Sequence, residues 1–507
     1  MNSKHIIGFF SIIVFLLSCS KDSKTETKSQ TTLVKTELGN HIDSLLTPYV
    51  NKLRTLTDNT TGLAIGITKG DDIIYAKTFG FANIETQEEA SFKTRFHIAS
   101  VSKPFTAAAI VKLVQQGKLK LSDSIVKYIP EFTMKSDAYK NITIQHILNH
   151  TSGIPRHVSA DDWLSPKVGI NALEENLENV KNFELDFEPG TQFSYSNSAF
   201  DILGVLITRV SGMSFSEYVS KHILEPTGMT ESTYNKPIDS LPKHWAKSYS
   251  YGLTNQEWQP YPHTDKYLPS SGLQATLLDM CKWGIMHVNN GTYNGQEVLD
   301  KAHFNKFVEP TYDTPWGDKI GLSWFLQSYL DRPIIMHTGA DTGFESIMYI
   351  FPDDNISIVV MANRDFARTG RIINAASEVI FNEKPKDYKV SARYKFSETY
   401  KSQGLDKALL LWNEMKTDTT DIYYVNDEDI LTVGAILENG KHWKDTKEIL
   451  SYYTTIDDTS TYAWRLLGNA HLNLQDTINA KKCYEKTLEI NPNYEKGKDA
   501  LMRLNNE

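Results

Sequence analysis

Strand-like apolar runs lie near both ends of the first 383 residues, and this arrangement most constrains the fold. The runs are short and bounded by turn residues, at 63–68, 73–79, 334–337, 345–351 and 356–362. The first two flank Gly70-Asp71-Asp72 and predict a hairpin. Helical patterns cover residues 37–56 and 368–381 and most of residues 120–330. One sheet built from both ends, with a helical lobe inserted, therefore predicts an α+β architecture.

Residues 386–507 show a different organisation, an internal repeat. Val433-Gly434 and Leu467-Gly468 lie 34 residues apart, and Leu450 and Tyr484 repeat the same offset. That period resembles the tetratricopeptide repeat, and the second copy matches it best, at Trp464, Leu467, Gly468, Ala480, Tyr484 and Pro492. With a degenerate earlier copy at Ala408 and Trp412, the block resembles about three repeats, an all-α array that would bind a protein partner. The alternative is a helical cap packed on the preceding domain.

The N-terminus carries a targeting pattern. Lys4 and His5 precede a 12-residue, mostly apolar run at 6–17, which suits a signal-peptide core better than a membrane span. Leu16-Leu17-Ser18-Cys19 resembles the bacterial lipobox, which implies a lipid on Cys19 and a bacterial cell-envelope protein anchored to the membrane. The alternative is an ordinary secretory signal. Residues 20–36 are polar and predict a flexible tether.

Composition excludes several classes of function. The net charge of −9 is not accompanied by a dominant basic block, so nucleic-acid binding is not predicted. The three cysteines form neither a disulfide framework nor a C-x-x-C pattern. His146 and His150 have a spacing that can hold a metal, but without a third ligand we interpret them as structural. The sequence predicts neither a cofactor nor a metal.

The candidate nucleophile is Ser100. It follows the apolar run 96–99 and precedes a helical pattern, so it would lie at a helix N-terminus, which favours developing negative charge. Lys103 lies three residues later on the same helical face and could take the serine proton if burial lowered its pKa. S-x-x-K alone does not identify a site, because it also occurs at Ser18/Lys21, Ser124/Lys127 and Ser240/Lys243.

Two later motifs complete a possible catalytic set. Tyr195 lies 95 residues after Ser100, and a tyrosine can act as a general base if nearby cations lower its pKa. Asn197 can hydrogen-bond both a lysine and a substrate amide. His337-Thr338-Gly339 ends an apolar strand. The strand edge after Gly339 would offer a backbone N–H that, with the N–H of Ser100, would make an oxyanion hole.

Together, these motifs resemble the serine β-lactamase and penicillin-binding-protein superfamily, in its class C and esterase-like branch. Other stretches share the family pattern: 146–155, Glu188-Pro189-Gly190 and Ser271-Gly272-Leu273. Over residues 37–383 the resemblance implies an antiparallel sheet with a helical lobe. It also implies that Ser100 is acylated, that Lys103 and Tyr195 shuttle its proton, and that Asn197 positions substrate. The N–H groups of Ser100 and Ala340 would then hold the oxyanion.

His337 departs from the lysine form of the third motif. A histidine is near half-titrated around pH ~6.5, so it attracts a substrate carboxylate less than a lysine does at neutral pH. The resemblance implies that such H-x-G forms occur in esterases and D-amino-acid peptidases of the family.

Three functions are therefore compared. The leading hypothesis is a lipid-anchored serine hydrolase acting on an ester, a D-amino-acid amide or a peptidoglycan-type peptide. The second is a weakly catalytic or non-catalytic envelope protein that recruits partners through its repeats. The third is a true class C-type β-lactamase.

Overall fold

A computed structural model describes residues 30–156, 169, 171–235, 241–251, 253, 255–257, 264–417 and 422–506. The predicted signal peptide, Cys19 and most of the predicted tether lie outside these residues.

The described strands are mostly short, and nine of them share one large sheet. In chain order they are β1 (Thr32–Val34), β2 (Leu63–Lys69), β3 (Asp72–Phe79), β4 (Phe81–Asn83), β5 (Glu88–Glu89), β6 (Phe96–His97), β7 (Tyr249–Tyr251), β8 (Asn255–Glu257), β9 (Gln274–Ala275), β10 (Thr292–Tyr293), β11 (Gln296–Glu297), β12 (Tyr312–Asp313), β13 (Lys319–Ile320), β14 (Phe325–Tyr329), β15 (Arg332–Asp341), β16 (Phe344–Phe351), β17 (Ile356–Ala362), β18 (Val390–Ser391) and β19 (Tyr423–Tyr424).

The described helices fall into two groups, before and after residue 386. The first group is α1 (Glu37–Leu56), α2 (Lys103–Gln115), α3 (Ile144–Leu148), α4 (Glu175–Val180), α5 (Asn197–Ser211), α6 (Phe215–Val219), α7 (Leu268–Ser271), α8 (Leu277–Val288), α9 (Lys301–Val308) and α10 (Thr369–Ile380). The second group is α11 (Arg393–Gln403), α12 (Leu405–Met415), α13 (Glu428–Asn439), α14 (Trp443–Ile456), α15 (Thr461–Asn473), α16 (Thr477–Ile490) and α17 (Glu495–Asn506).

The large sheet combines strands from both ends of the first 383 residues, as the sequence predicted. Its order is β1-β3-β2-β17-β16-β15-β14-β13-β12, and all of its neighbours are antiparallel. Strand β17 pairs with β2 across almost 300 residues, in a register that sets Ile358 opposite Ile67. All seven residues of β17 are buried, because α1 and α10 cover one face of the sheet and α8 covers the other. The predicted α+β fold is confirmed.

Two segments differ from the sequence prediction. Residues 312–329, expected within a mostly helical region, instead add β12, β13 and β14 to the sheet. These residues form strands because the edge of β15 offers backbone groups for pairing, and Leu326 of β14 lies opposite Ile335 of β15. The predicted tether also extends too far, because Thr32–Val34 form edge strand β1 against β3. The β-branched and apolar residues of Thr32–Val34 suit an edge strand.

The helices after residue 386 pack as antiparallel pairs, and glycines permit close contact between partners. A Cβ added at Gly434 would lie 2.4 Å from Leu450, and one added at Gly468 would lie 2.4 Å from Tyr484. The 34-residue offset in the sequence thus places equivalent helix contacts in successive pairs. Ala408 and Trp412 of the degenerate copy are fully buried in the apolar cluster that also contains Leu450.

Among the helices of the described residues, no single one is both long and apolar enough to span a bilayer, whereas one pair bent by 77°, Asn197–Ser211 with Phe215–Leu224, passes by length and composition alone.

Candidate active site

Ser100 lies at a tight junction between a strand and a helix. It belongs to a 3₁₀ turn, Ala99–Ser102, that follows β6 and leads into α2. Ala99 takes a positive φ of 48°, an uncommon conformation for a residue with a side chain. Strand β15 packs directly against this turn, because a Cβ at Gly339 would lie 2.4 Å from the Ile98 carbonyl oxygen. Gly339 therefore allows the backbone of β15 to approach the nucleophile.

Lys103 lies fully buried behind Ser100. Its Nζ donates to Ser100 Oγ at 3.3 Å, to Asn197 Oδ1 at 2.7 Å and to the Ser270 carbonyl oxygen at 2.8 Å. Burial lowers the pKa of Lys103 well below its usual 10.5, although the charge of Asp201 raises it. The amine is therefore positioned and tuned to accept a proton from Ser100.

Tyr195 and Asn197 reach the site from the start of α5. Ser196 caps this helix by accepting a hydrogen bond from the N–H of Ala199 at 3.0 Å. His150 supports the same turn, since its Nδ1 accepts from the N–H of Ser196 at 3.2 Å and its ring stacks on Tyr195 at 4.2 Å. The cap and the stacking together aim Tyr195 and Asn197 at Ser100 and Lys103.

The pKa of Tyr195 differs from what the sequence predicted. Burial raises it above the ordinary 10.0, and this effect outweighs the lowering by the Ser100 side chain and by Arg156. Tyr195 therefore keeps its proton at neutral pH and is better suited to give a proton than to take one.

His337 carries less charge than the sequence predicted. Only 1% of it is exposed, and burial lowers its pKa to about 3. Its Nδ1 donates to the Thr338 carbonyl oxygen at 2.7 Å, which leaves Nε2 as a hydrogen-bond acceptor. The third motif thus presents a neutral imidazole rather than a cation.

The predicted residues converge on one cleft of about 360 Å³. Ser100, Tyr195, His337 and Ala340 line it, whereas Lys103 and Asn197 lie behind Ser100 and Gly339 faces the turn. Thr338 of the predicted His337-Thr338-Gly339 motif also lines the cleft, and residues that sequence analysis did not single out complete its walls: Arg156, Trp316, Phe325, Gln327 and Met336. Of these, Arg156 directly follows the family-like run 146–155, and Met336 lies in the predicted strand 334–337.

Aromatic rings form one side of the cleft. Trp316 is 67% exposed at the mouth, and its ring lies 5.5 Å from that of Phe193 and 6.5 Å from that of Phe325. Phe325 in turn stacks on Tyr195 at 6.5 Å. The guanidinium of Arg156, which also lines the cleft, lies 5.1 Å from the centre of the Tyr195 ring. The cleft combines an apolar wall with a permanent cation.

His146 and His150 have structural partners. His146 Nδ1 accepts from the N–H of Thr143 at 3.3 Å in a capping box, whereas His150 supports α5. Across the part of the chain that the structure describes, no group of three metal-ligating side chains is present.

Comparison with known families gives two matches. The family model described as Beta-lactamase matches residues 42–379, and the model described as Tetratricopeptide repeat matches residues 461–494. The first covers the cleft and the large sheet except for edge strand β1, and the second covers the helix pair α15 and α16.

Curated relatives agree with the first match. The chain is 30% identical over 326 residues to "Protein flp" of Staphylococcus aureus (strain MW2), an alignment covering 64% of each chain. It is 28% identical over 354 residues to "Penicillin-binding protein 4*" of Bacillus subtilis (strain 168), covering 64% of this chain and 74% of that one. The chain thus spans slightly less than two thirds of the length of Protein flp.

Solved structures show the same fold. A penicillin-binding protein from Bacillus halodurans is 27% identical with a TM-score of 0.55, and the match covers 65% of this chain and 99% of that one. An octameric penicillin-binding protein homologue from Pyrococcus abyssi is 24% identical with a TM-score of 0.60, and the match covers 72% of this chain and 82% of that one.

Proposed function

Since this chain belongs to the beta-lactamase family, we propose that it is a serine hydrolase that forms an acyl-enzyme on Ser100. The contact between Lys103 Nζ and Ser100 Oγ, 3.3 Å long with the amine fully buried, carries this proposal. A serine becomes nucleophilic when an adjacent base removes its proton, and a desolvated lysine is such a base.

Lys103 is the general base of the proposed acylation. Its neutral amine takes the proton of Ser100 while Oγ bonds to the substrate carbonyl carbon. Asn197 Oδ1 and the Ser270 carbonyl hold Nζ in place throughout. The N–H groups of Ser100 and Ala340 stabilise the negative oxygen of the tetrahedral intermediate.

Tyr195 is the proton donor to the leaving group. Because its pKa is raised, the phenol is protonated when the intermediate collapses and can give its proton to the departing alkoxide or amine. Lys103, now protonated, returns a proton to Tyr195. In deacylation the same groups act in reverse, with water replacing the leaving group.

The substrate is an ester, a D-amino-acid amide or a peptidoglycan-type peptide, and the cleft favours members with an apolar group. Trp316 and Phe325 would contact that group, and Arg156 would bind an anionic substituent. The absence of a charged third motif supports poor turnover of β-lactams, whose carboxylate the neutral His337 does not attract.

A fluorophosphonate probe and a p-nitrophenyl ester test the nucleophile. We expect covalent labelling and ester turnover in the wild type, and loss of both in Ser100→Ala. Ser124→Ala is the matched control, because Ser124 and Lys127 repeat the S-x-x-K spacing outside the cleft, with Lys127 paired to Asp123. Labelling that persists in Ser100→Ala would reject the proposal.

The match to a tetratricopeptide repeat favours a second, compatible function, recruitment of a protein partner through residues 386–507. Ile478 on α16 is 72% exposed, so this apolar side chain is accessible to a partner. Affinity capture with the full chain would be compared between wild type and Ile478→Glu, with Leu45→Glu on α1 as a control of similar chemistry. Identical captured proteins in all three would contradict this use of Ile478.

We further propose that Cys19 carries lipid and anchors the protein in a bacterial envelope, from the lipobox-like residues 16–19. Expression of Cys19→Ser should move the chain from the membrane fraction to the soluble fraction. An unchanged distribution would reject lipidation as the anchor.

A further inference from the structure

An acidic residue, Asp201, is buried near the proposed base, Lys103. Asp201 lies on α5, one helical turn after Asn197, and is fully buried. Its Oδ1 accepts from the N–H of Ser270 at 3.1 Å, whereas its Oδ2 has no hydrogen-bond partner within the described residues. A buried carboxylate oxygen without a donor is costly, and it requires a physical reason.

Ser270 connects this carboxyl group to Lys103. Its N–H donates to Asp201, and its carbonyl oxygen accepts from Lys103 Nζ at 2.8 Å. The neighbouring carbonyl of Pro269 accepts from Thr106 Oγ1 at 2.7 Å, which ties the same short helix, α7, to α2. Ser270 therefore links the carboxyl group of Asp201 to the amine of Lys103. Asn197 and Asp201 lie on the same face of α5, and Asn197 contacts Lys103 directly, whereas Asp201 reaches it through Ser270.

We propose that Asp201 is a positioning residue that holds Lys103 through Ser270 and, when ionised, retains the proton on the lysine. This inference rests on the proposed function, because it assigns a control element to the general base. Lys103 is competent as a base when neutral, and a neutral Lys103 beside a protonated Asp201 leaves no unpaired charge in the interior. Asp201 therefore sets the pH range in which Ser100 is activated.

The charges around the pair support this arrangement. Burial raises the pKa of Asp201, and hydrogen bonding from Ser270 together with the cations Lys103 and Lys266 opposes that rise. Burial lowers the pKa of Lys103, and Asp201 is the charge that opposes the fall most strongly. The other groups acting on Lys103 are Arg156, which lowers its pKa, and Asp341, which raises it. His150 and His337 also face Lys103, and the pKa values of both lie below 6.5, so they are uncharged at neutral pH.

The first test is the pH profile of kcat/KM for an ester in Asp201→Asn. Asparagine keeps an acceptor for the N–H of Ser270 but removes the charge, so the acidic limb should move down by about one pH unit or more. Asp201→Glu keeps the charge and should leave the limb near its wild-type position. A merely structural role would lower the plateau without moving the limb.

Asp279→Asn is the matched control, because Asp279 is equally buried and accepts from the N–H of Glu231 but pairs with Lys282 instead. The acidic limb of the kcat/KM profile of Asp279→Asn should lie at the same pH as that of the wild type. If Asp201→Asn does not fold, Asp201→Ser supplies the uncharged variant. A limb in the uncharged variant that coincides with the wild type overturns the inference.

The second test does not depend on activity. In the wild type the raised pKa of Asp201 makes stability fall as pH rises above 3.8, because the native state keeps a proton that the unfolded chain has released. Asp201→Asn lacks that loss, and its Lys103 pKa is lowered further, so its stability gains as pH rises. The melting temperature of Asp201→Asn minus that of the wild type should therefore increase between about pH 4 and pH 7.

A constant or decreasing difference would overturn the charge pairing. A wild type that neither turns over esters nor labels at Ser100 would instead reject the proposed function, while the melting temperatures would still decide the role of Asp201.

Discussion

His97 Nε2 lies 2.8 Å from Asp341 Oδ2, and both side chains are almost completely buried. Gln274 Nε2 donates to His97 Nδ1 at 2.8 Å, which leaves the ring proton on Nε2, directed at Asp341. This contact joins the strand before Ser100 to the end of the strand that carries Ala340. It therefore connects the two backbone segments that we propose to form the oxyanion hole.

Breaking this contact should impair the chemical step. We expect His97→Leu to lower kcat by about 10- to 100-fold with little change in KM, because small displacements of oxyanion donors weaken transition-state binding. His303→Leu removes a similar contact outside the cleft, between His303 on α9 and the N-cap residue Asp300, and should retain full activity. A folded His97→Leu variant that hydrolyses esters with the wild-type kcat would contradict this relationship.

The pH dependence of the wild type should follow Lys103. A base must be neutral to act, so kcat/KM should rise as pH increases through the lowered pKa of Lys103, well below 10.5. The raised pKa of Tyr195 places the loss of its proton above 10.0, so a descending limb from Tyr195 should be missing below that pH. Ester hydrolysis between about pH 5 and pH 9 measures both features. A descending limb near neutrality that is abolished in Tyr195→Phe would contradict the raised pKa of Tyr195, whereas an ascending limb that is abolished in Tyr195→Phe would refute the assignment of Tyr195 as the acid.

Nitrocefin should be a poor substrate because His337 is neutral. His337→Lys supplies a cation facing the cleft, and a charge-assisted hydrogen bond to a carboxylate should raise the ratio of nitrocefin to neutral-ester kcat/KM by about tenfold. His337→Gln, which remains uncharged, is the control. An unchanged ratio in a folded His337→Lys variant would mean that the missing charge does not limit β-lactam turnover.

Trp316 and Arg156 should determine which esters are preferred. Trp316→Ala should raise KM for aromatic esters by about tenfold while leaving acetyl esters nearly unaffected, since it removes only an exposed apolar contact. The comparison of kcat/KM across the two ester classes separates this effect from damage to the fold.

Arg156→Met should lower kcat/KM for esters with an anionic acyl chain relative to neutral esters, by about tenfold. Arg209→Met is the control, because Arg209 is an arginine on α5 that pairs with Glu131 and Glu174 rather than lining the cleft. Equal losses for both ester classes would show that Arg156 does not read the substrate charge.

Local sequence patterns predicted much of the fold. Helix α1, the hairpin of β2 and β3, and the strands β15 to β17 lie close to the predicted residues, because helical periodicity and short apolar runs bounded by turn residues are properties of neighbouring positions. The helix repeat after residue 386 followed from a 34-residue offset for the same reason. Strands β12 to β14 were missed, since their partner is the edge of a strand that only the folded sheet supplies.

The sequence by itself determined the candidate nucleophile, its lysine, the tyrosine, the asparagine and the histidine motif, because each occupies a short segment of recognisable spacing. Only the tertiary structure decided their chemistry. Burial makes His337 neutral, keeps Tyr195 protonated and lowers the pKa of Lys103, and burial depends on residues far away in the chain. Asp201 and Ser270 are 69 residues apart, so their link to Lys103 exists only once α5 and α7 pack against α2.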